Sequence, residues 1–161
     1  MKTYRLGIDP GVSGALALLE FAGVFSFPKL IALADMPVMP LGKKGKKKQV
    51  NSSELVSLLI KWHRPELVVY LEQVQSMPGQ GVSSMFNFGM GYGMIQGAIA
   101  ALQLPMALVR PSAWKKRAGL LHCEKERSRT FAQQLFPGAD LSLKKDVGRA
   151  EAILIAMFGK G

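Results

Sequence analysis

Apolar and polar residues alternate from Tyr4 to Asp9, the period-two pattern of a half-buried strand, and Pro10-Gly11-Val12-Ser13-Gly14 reads as the turn that ends it. Ala15 to Glu20 resumes as a second strand. Val24 to Phe27 is expected to begin a third, continued by Ile31 to Met36 and stopped by Pro37 and Pro40. Strands joined by glycine-rich turns predict an antiparallel meander. Asn51-Ser52-Ser53-Glu54 is a helix start, with Leu55, Leu58, Leu59 and Trp62 on one face and Arg64-Pro65-Glu66 at its end. Leu67 to Glu72 is a near-continuous apolar run closing on a carboxylate, as a buried parallel strand does. Gln73 to Gln80 reads as a loop, and residues 84–102 as a long helix whose Gly89, Gly91, Gly93 and Gly97 permit close packing. A short buried strand from Met106 to Val109 follows, then helical patterns at 112–116, 124–136 and 146–158. The sequence therefore predicts an α/β domain over residues 1–161, with a mixed sheet that starts antiparallel and continues strand–helix–strand–helix.

Composition narrows the function. The 161 residues are 48% hydrophobic, which excludes disorder, yet 21 Lys and Arg stand against 11 Asp and Glu, a net charge of +10. A chain this basic meets an acidic partner, most often nucleic acid. Positive charge is concentrated twice. Residues 41–50 read as a basic loop carrying Lys43, Lys44, Lys46, Lys47 and Lys48, expected to grip DNA, with a solubilising loop as the plainer alternative. Between Arg110 and Arg149 ten basic residues face four acidic ones, a surface whose DNA binding should fall steeply with salt. The first residues do not read as a signal peptide, and no uncharged run suits a membrane span. Cys123, the only cysteine, excludes a disulfide framework and an all-cysteine zinc site. The expected setting is intracellular and cytoplasmic. His63 and His122 are too few for a zinc centre, and nothing calls for a small-molecule cofactor.

The acidic residues carry the chemistry. Asp9 and Glu72 each end a predicted strand, and ligands of open α/β sheets sit outside the carboxyl ends of strands. Asp146 and Glu151 open the C-terminal helix, Glu151 among Ala150, Ala152, Ile153 and Ile155. Converging carboxylates repel, and their usual remedy is a divalent cation with oxygen ligands, Mg²⁺ or Mn²⁺. Such ions can promote phosphodiester hydrolysis. Each acid also has a plainer reading: Asp9 as a turn cap, Asp146 as a helix N-cap. Their coincidence on a strongly basic chain favours the metal.

Gly7-Ile8-Asp9-Pro10-Gly11, Leu71-Glu72-Gln73-Val74 and Arg149-Ala150-Glu151-Ala152-Ile153-Leu154-Ile155-Ala156 resemble, in that order, the three acidic motifs of RuvC-type Holliday junction resolvases. The resemblance covers nearly the whole chain, and the small size and lysine loop look like a phage-type member. It implies a ribonuclease H-like fold, a mixed five-stranded sheet with helices on both faces, in a Mg²⁺-dependent homodimer that resolves four-way DNA junctions by paired nicks. It further implies Asp9, Glu72 and Glu151 as metal ligands. Gly148 stands where bacterial members carry Asp or His, which leaves Asp146 as the nearest fourth ligand. Lys115 resembles the family lysine near the scissile phosphate, and Lys125 a second; Lys116 and Arg117 join them as expected DNA contacts. The family's junction-stacking aromatic falls at Gln75, so Met77, Phe86 and Phe88 are the candidates for that role. Three other readings compete. One is a broader nuclease of flaps, forks and replication intermediates. Another is an actin-like ATPase, suggested by Asp9-Pro10-Gly11 but too short for two lobes. The last is a non-catalytic DNA-binding module, which leaves Glu72 and Glu151 unexplained.

Overall fold

The computed structural model describes residues 1–23, 26–42 and 45–160. Five strands form the main sheet: β1 (Thr3–Asp9), β2 (Ala15–Phe21), β3 (Lys29–Asp35), β6 (Leu67–Glu72) and β7 (Met106–Val109), in the order β3-β2-β1-β6-β7. The chain order is completed by β4 (Val38–Leu41), β5 (Lys47–Val50), α1 (Ser52–Trp62), α2 (Val82–Ala101), α3 (Pro111–Ala118), α4 (Lys125–Leu135) and α5 (Val147–Phe158). β1, β2 and β3 pair antiparallel, and β6 lies parallel to both β1 and β7. The meander and the buried parallel strand expected from the sequence are both present. β1 and β6 are neighbours, so Asp9 and Glu72 leave the sheet at the same edge.

Helices cover both faces. α1 and α2 pack on one face through Leu55, Leu59, Ile95 and Ile99, all essentially inaccessible, against Leu6, Ile8, Leu16, Leu18, Val69 and Leu71. Asn51 caps α1 as its sequence predicts, its side chain accepting the Glu54 N–H at 3.2 Å. α3, α4 and α5 cover the other face, where Ala15, Ala17 and Leu19 meet Trp114, Ala132, Ile153 and Ile155. Gly7 lets α5 lie close: a Cβ there would run into the backbone of Ala152 and Ala156. Among the described residues no helix is long and apolar enough to cross a membrane.

Two readings need correction. The basic stretch is not a plain loop: Lys47–Val50 is a strand, paired antiparallel with Val38–Leu41 so that Lys48 faces Pro40 and Lys47 faces Leu41. Both strands of this ribbon are edges, so Pro40 can sit inside one without breaking a ladder on both sides. The ribbon docks through Val50 on α2, where a Cβ at Gly91 would stand 3.2 Å from the Val50 side chain. The third strand of the sheet begins at Lys29, with Phe27 outside it; Val24 and Phe25, where its start was expected, lie outside the described residues.

Candidate active site

The turn after β1, the end of β6 and the first turns of α5 surround one open cleft of about 560 Å³. Asp9, Glu72 and Glu151 all line it, together with Lys115, Lys125 and Lys145. Three chain segments more than sixty residues apart thus deliver one carboxylate each, and three lysines stand around them. Gly148 makes the approach of α5 possible. A Cβ there would collide with the Ser13 carbonyl and lie 3.3 Å from Asp9 Oδ2.

The carboxylates are electrostatically uncomfortable. Burial pushes the Asp9 carboxyl well above its ordinary pKa, and the negative charges of Glu151 and Glu72 push it further. Burial raises Glu72 as well, opposed by a hydrogen bond from the Trp114 indole, while the Glu151 charge adds to the rise. Glu151 is buried to 8% exposure and raised by that burial, against the pull of Lys115 and Lys125. Among the described residues its Oε1 has no hydrogen-bond partner, and Lys115 Nζ stands at 3.8 Å. An orphaned, desolvated carboxylate oxygen beside two like charges is unstable as it stands. A hard divalent cation would relieve it, so the donor set fits one. Among the described residues no three His, Cys, Asp or Glu side chains stand close enough together to hold a metal ion as they lie, so a cation would have to draw the three carboxylates inward. An open, oxygen-rich set is what a cation that keeps waters and takes substrate phosphate oxygens requires.

Asp146 does not belong to this set. Its side chain is 3% exposed, accepts the Leu143 N–H at 2.8 Å and lies 3.9 Å from Arg149 Nη1, and it does not line the cleft. It tightens the short 3₁₀ turn at Lys144–Asp146 that leads into α5, so the fourth-ligand expectation is replaced by a capping role. Arg149 in turn holds Asp35 at 2.7 Å and Asp140 at 2.8 Å, tying the start of α5 to the end of β3.

The expected DNA contacts divide into groups. Lys115 and Lys125 are in the cleft, and Phe88 lines it from α2. Lys47 and Lys48 line an adjoining groove that shares Gly11, Val12 and Phe88 with the cleft, and Lys46 is exposed beside them. Lys43 and Lys44 lie outside the described residues. Met77 and Phe86 are strongly exposed, Met77 in a hollow that also reaches Phe88. Lys116 is exposed outside the cleft. Arg117 is exposed outside the cleft and donates to the Phe158 and Lys160 carbonyls at 3.1 Å. Sequence reasoning missed Lys145 and Trp114. Lys145 had a signal in its place just ahead of the C-terminal helix; Trp114 had only its position next to Lys115.

An antiparallel three-strand meander continued by two parallel strands, with helices on both faces and acids at the carboxyl ends of β1 and β6, is the ribonuclease H-like α/β fold. Solved structures of the junction resolvase RuvC share it. Thermus thermophilus RuvC superimposes with a TM-score of 0.65 at 20% identity, and the same protein in complex with a Holliday junction substrate with 0.64 at 15%. Each comparison covers 97% of this chain and 92% of the other. No family model and no curated protein sequence matches the chain.

Proposed function

We propose that this protein is a structure-selective endonuclease that resolves four-way DNA junctions by paired, metal-dependent hydrolysis of phosphodiester bonds. The observation that carries the reading is the convergence of Asp9, Glu72 and Glu151 on one lysine-bordered cleft, on a fold shared with a junction-bound RuvC. Mg²⁺, with Mn²⁺ as a substitute, would neutralise the three carboxylates and polarise the scissile phosphate as a Lewis acid. The protein's own groups do the rest. Asp9, Glu72 and Glu151 supply the oxygens that hold the cation. Lys115, 3.8 Å from Glu151, and Lys125 draw the phosphate in and balance charge that develops on it. Lys145 extends the same rim, and Lys46, Lys47 and Lys48 on the β4–β5 ribbon receive a DNA arm beyond the cleft.

Two-fold symmetry suits a junction, because a dimer places one site on each of two opposed strands. α2 supports such a dimer. It carries no charged residue in 20 positions and exposes Val82, Phe86, Gly89, Gly93 and Gly97 along one stripe. Phosphate contacts would supply most of the affinity, and the shape of the branch most of the selectivity. The setting is intracellular, where branched DNA arises.

The test is cleavage of a labelled four-way junction beside a Y-fork and a linear duplex of the same sequence, with and without Mg²⁺. The expected result is symmetric paired nicks in the junction, abolished by Asp9→Asn or Glu72→Gln while junction binding survives. Equal cutting of linear duplex, or full activity in either variant at saturating Mg²⁺, overturns the reading.

A further inference from the structure

Trp114 is fully buried in α3, yet it reaches the cleft through one atom: its indole N–H donates to Glu72 Oε2 at 2.6 Å. Contact this short, to a carboxylate, is the geometry of a charge-assisted hydrogen bond. The indole cannot swing. Pro111 starts α3, left-handed Gly119 ends it, and the ring is packed in the same apolar core as Val109, Leu120 and Ile153. A buried indole N–H needs an acceptor, and here the acceptor is an acid of the site. The main chain of Glu72 is held as well, its carbonyl accepting the Tyr92 hydroxyl at 3.2 Å. The next residue after Trp114 is Lys115, which stands 3.8 Å from Glu151 Oε1. Two adjacent residues of one short helix therefore reach two of the three carboxylates, which come from a strand and a helix 79 positions apart (151 − 72).

Building on the nuclease reading, we infer that Trp114 is a positioning residue for Glu72: its N–H commits Oε2 and leaves Oε1 as the oxygen offered to the cation. Without that bond the carboxylate turns freely about three torsions, under repulsion from Glu151. Partners that orient ligands in this way are typically worth about 10–100-fold in metal affinity or activity when removed.

The experiment separates the hydrogen bond from the packing. Trp114→Phe removes the donor and part of the ring. Site-specific replacement of Trp114 by β-(3-benzothienyl)alanine removes the donor alone, keeping ring shape. Mn²⁺ affinity is measured directly on DNA-free protein by electron paramagnetic resonance, alongside melting temperature, junction affinity and single-turnover cleavage. Both variants should bind Mn²⁺ about 10–100-fold more weakly and cleave correspondingly slower at limiting metal. The benzothienyl variant should keep melting temperature and junction affinity; Trp114→Phe should also lose stability. If the benzothienyl variant binds Mn²⁺ within about twofold of the wild type, the tryptophan acts by packing and the inference falls. That result, with wild-type protein still binding Mn²⁺ and cutting junctions, leaves the nuclease reading standing. Wild-type protein that binds no Mn²⁺ and cuts no junction removes both.

Discussion

The two faces of the sheet are packed by different means. Toward α1 and α2 the sheet presents Leu6, Ile8, Leu16, Leu18, Val69 and Leu71, and the helices answer with Leu55, Leu59, Ile95 and Ile99. Toward α5 it presents Gly7, Ala15 and Ala17 beside Leu19, and α5 answers with Ala150, Ala152 and Ala156 interleaved with Ile153 and Ile155. Large aliphatics bury area, which is where stability comes from. Small residues bury less but let backbones approach, and approach is what carries Glu151 and Gly148 up to Asp9. One face is built mainly to hold the sheet, the other to place a carboxylate.

Mutations can break that division of labour. The largest loss of stability should come from the aliphatic face: Leu59→Ala should cost about 2–5 kcal/mol in denaturant unfolding while the folded protein still cuts junctions at its normal rate. A parallel fall in the cleavage rate of the folded fraction would deny the distinction. Gly7→Ala should cost about 1–3 kcal/mol or more by overpacking, since its Cβ meets helix backbone with nowhere to go. Unlike Leu59→Ala, it should also slow cleavage, because a helix displaced by an ångström can cost about 10²-fold in rate. Gly148→Ala is the finer version. Its Cβ runs into the Ser13 carbonyl and crowds Gly14 Cα at 3.2 Å and Asp9 Oδ2 at 3.3 Å, so we expect about 1–3 kcal/mol of destabilisation with a clear loss of cleavage.

The smallest effect has the opposite sign. Folding raises the pKa of Asp9, Glu72 and Glu151, so the folded state binds more protons than the unfolded one. In metal-free protein these groups therefore cost stability as pH climbs from the ordinary carboxylate range, 3.8 for Asp and 4.5 for Glu, through their raised values. Asp9→Asn removes part of that cost. It should raise the melting temperature of metal-free protein near neutral pH by about 2–4 °C, the equivalent of about 1 kcal/mol in a chain this long, and flatten the pH dependence. Mg²⁺ should stabilise the wild type and not the variant. An unchanged or lower melting temperature would show that Asp9 is comfortable as an anion.

How much of this was legible beforehand depends on the range of the interactions. The chain order and type of the main-sheet strands and of the α-helices among the described residues follow from local periodicity and caps, as at Asn51, where the side chain that marks the helix start also makes the capping bond. The β4–β5 ribbon was not legible, because lysines have poor strand propensity and Pro40 argues against a strand. Its formation rests on pairing with Val38–Leu41 and on Val50 docking against Gly91 of α2. Asp146 shows the converse: an acid well placed in the sequence pattern turns into the 3₁₀ turn and caps Leu143.

By itself the sequence determined that Asp9 and Glu72 end buried strands, that Glu151 sits on an apolar helix, and that a basic exterior surrounds them. Patterns of a few residues decide such things, since period and burial are local. Only the tertiary structure decided which acids share the cleft and that Trp114, 42 residues along the chain, holds one of them. Distances between side chains from separate elements depend on how closely backbones pack. That closeness is set by the absence of a Cβ at Gly7 and Gly148, whose consequence appears only once the helix lies against the strand.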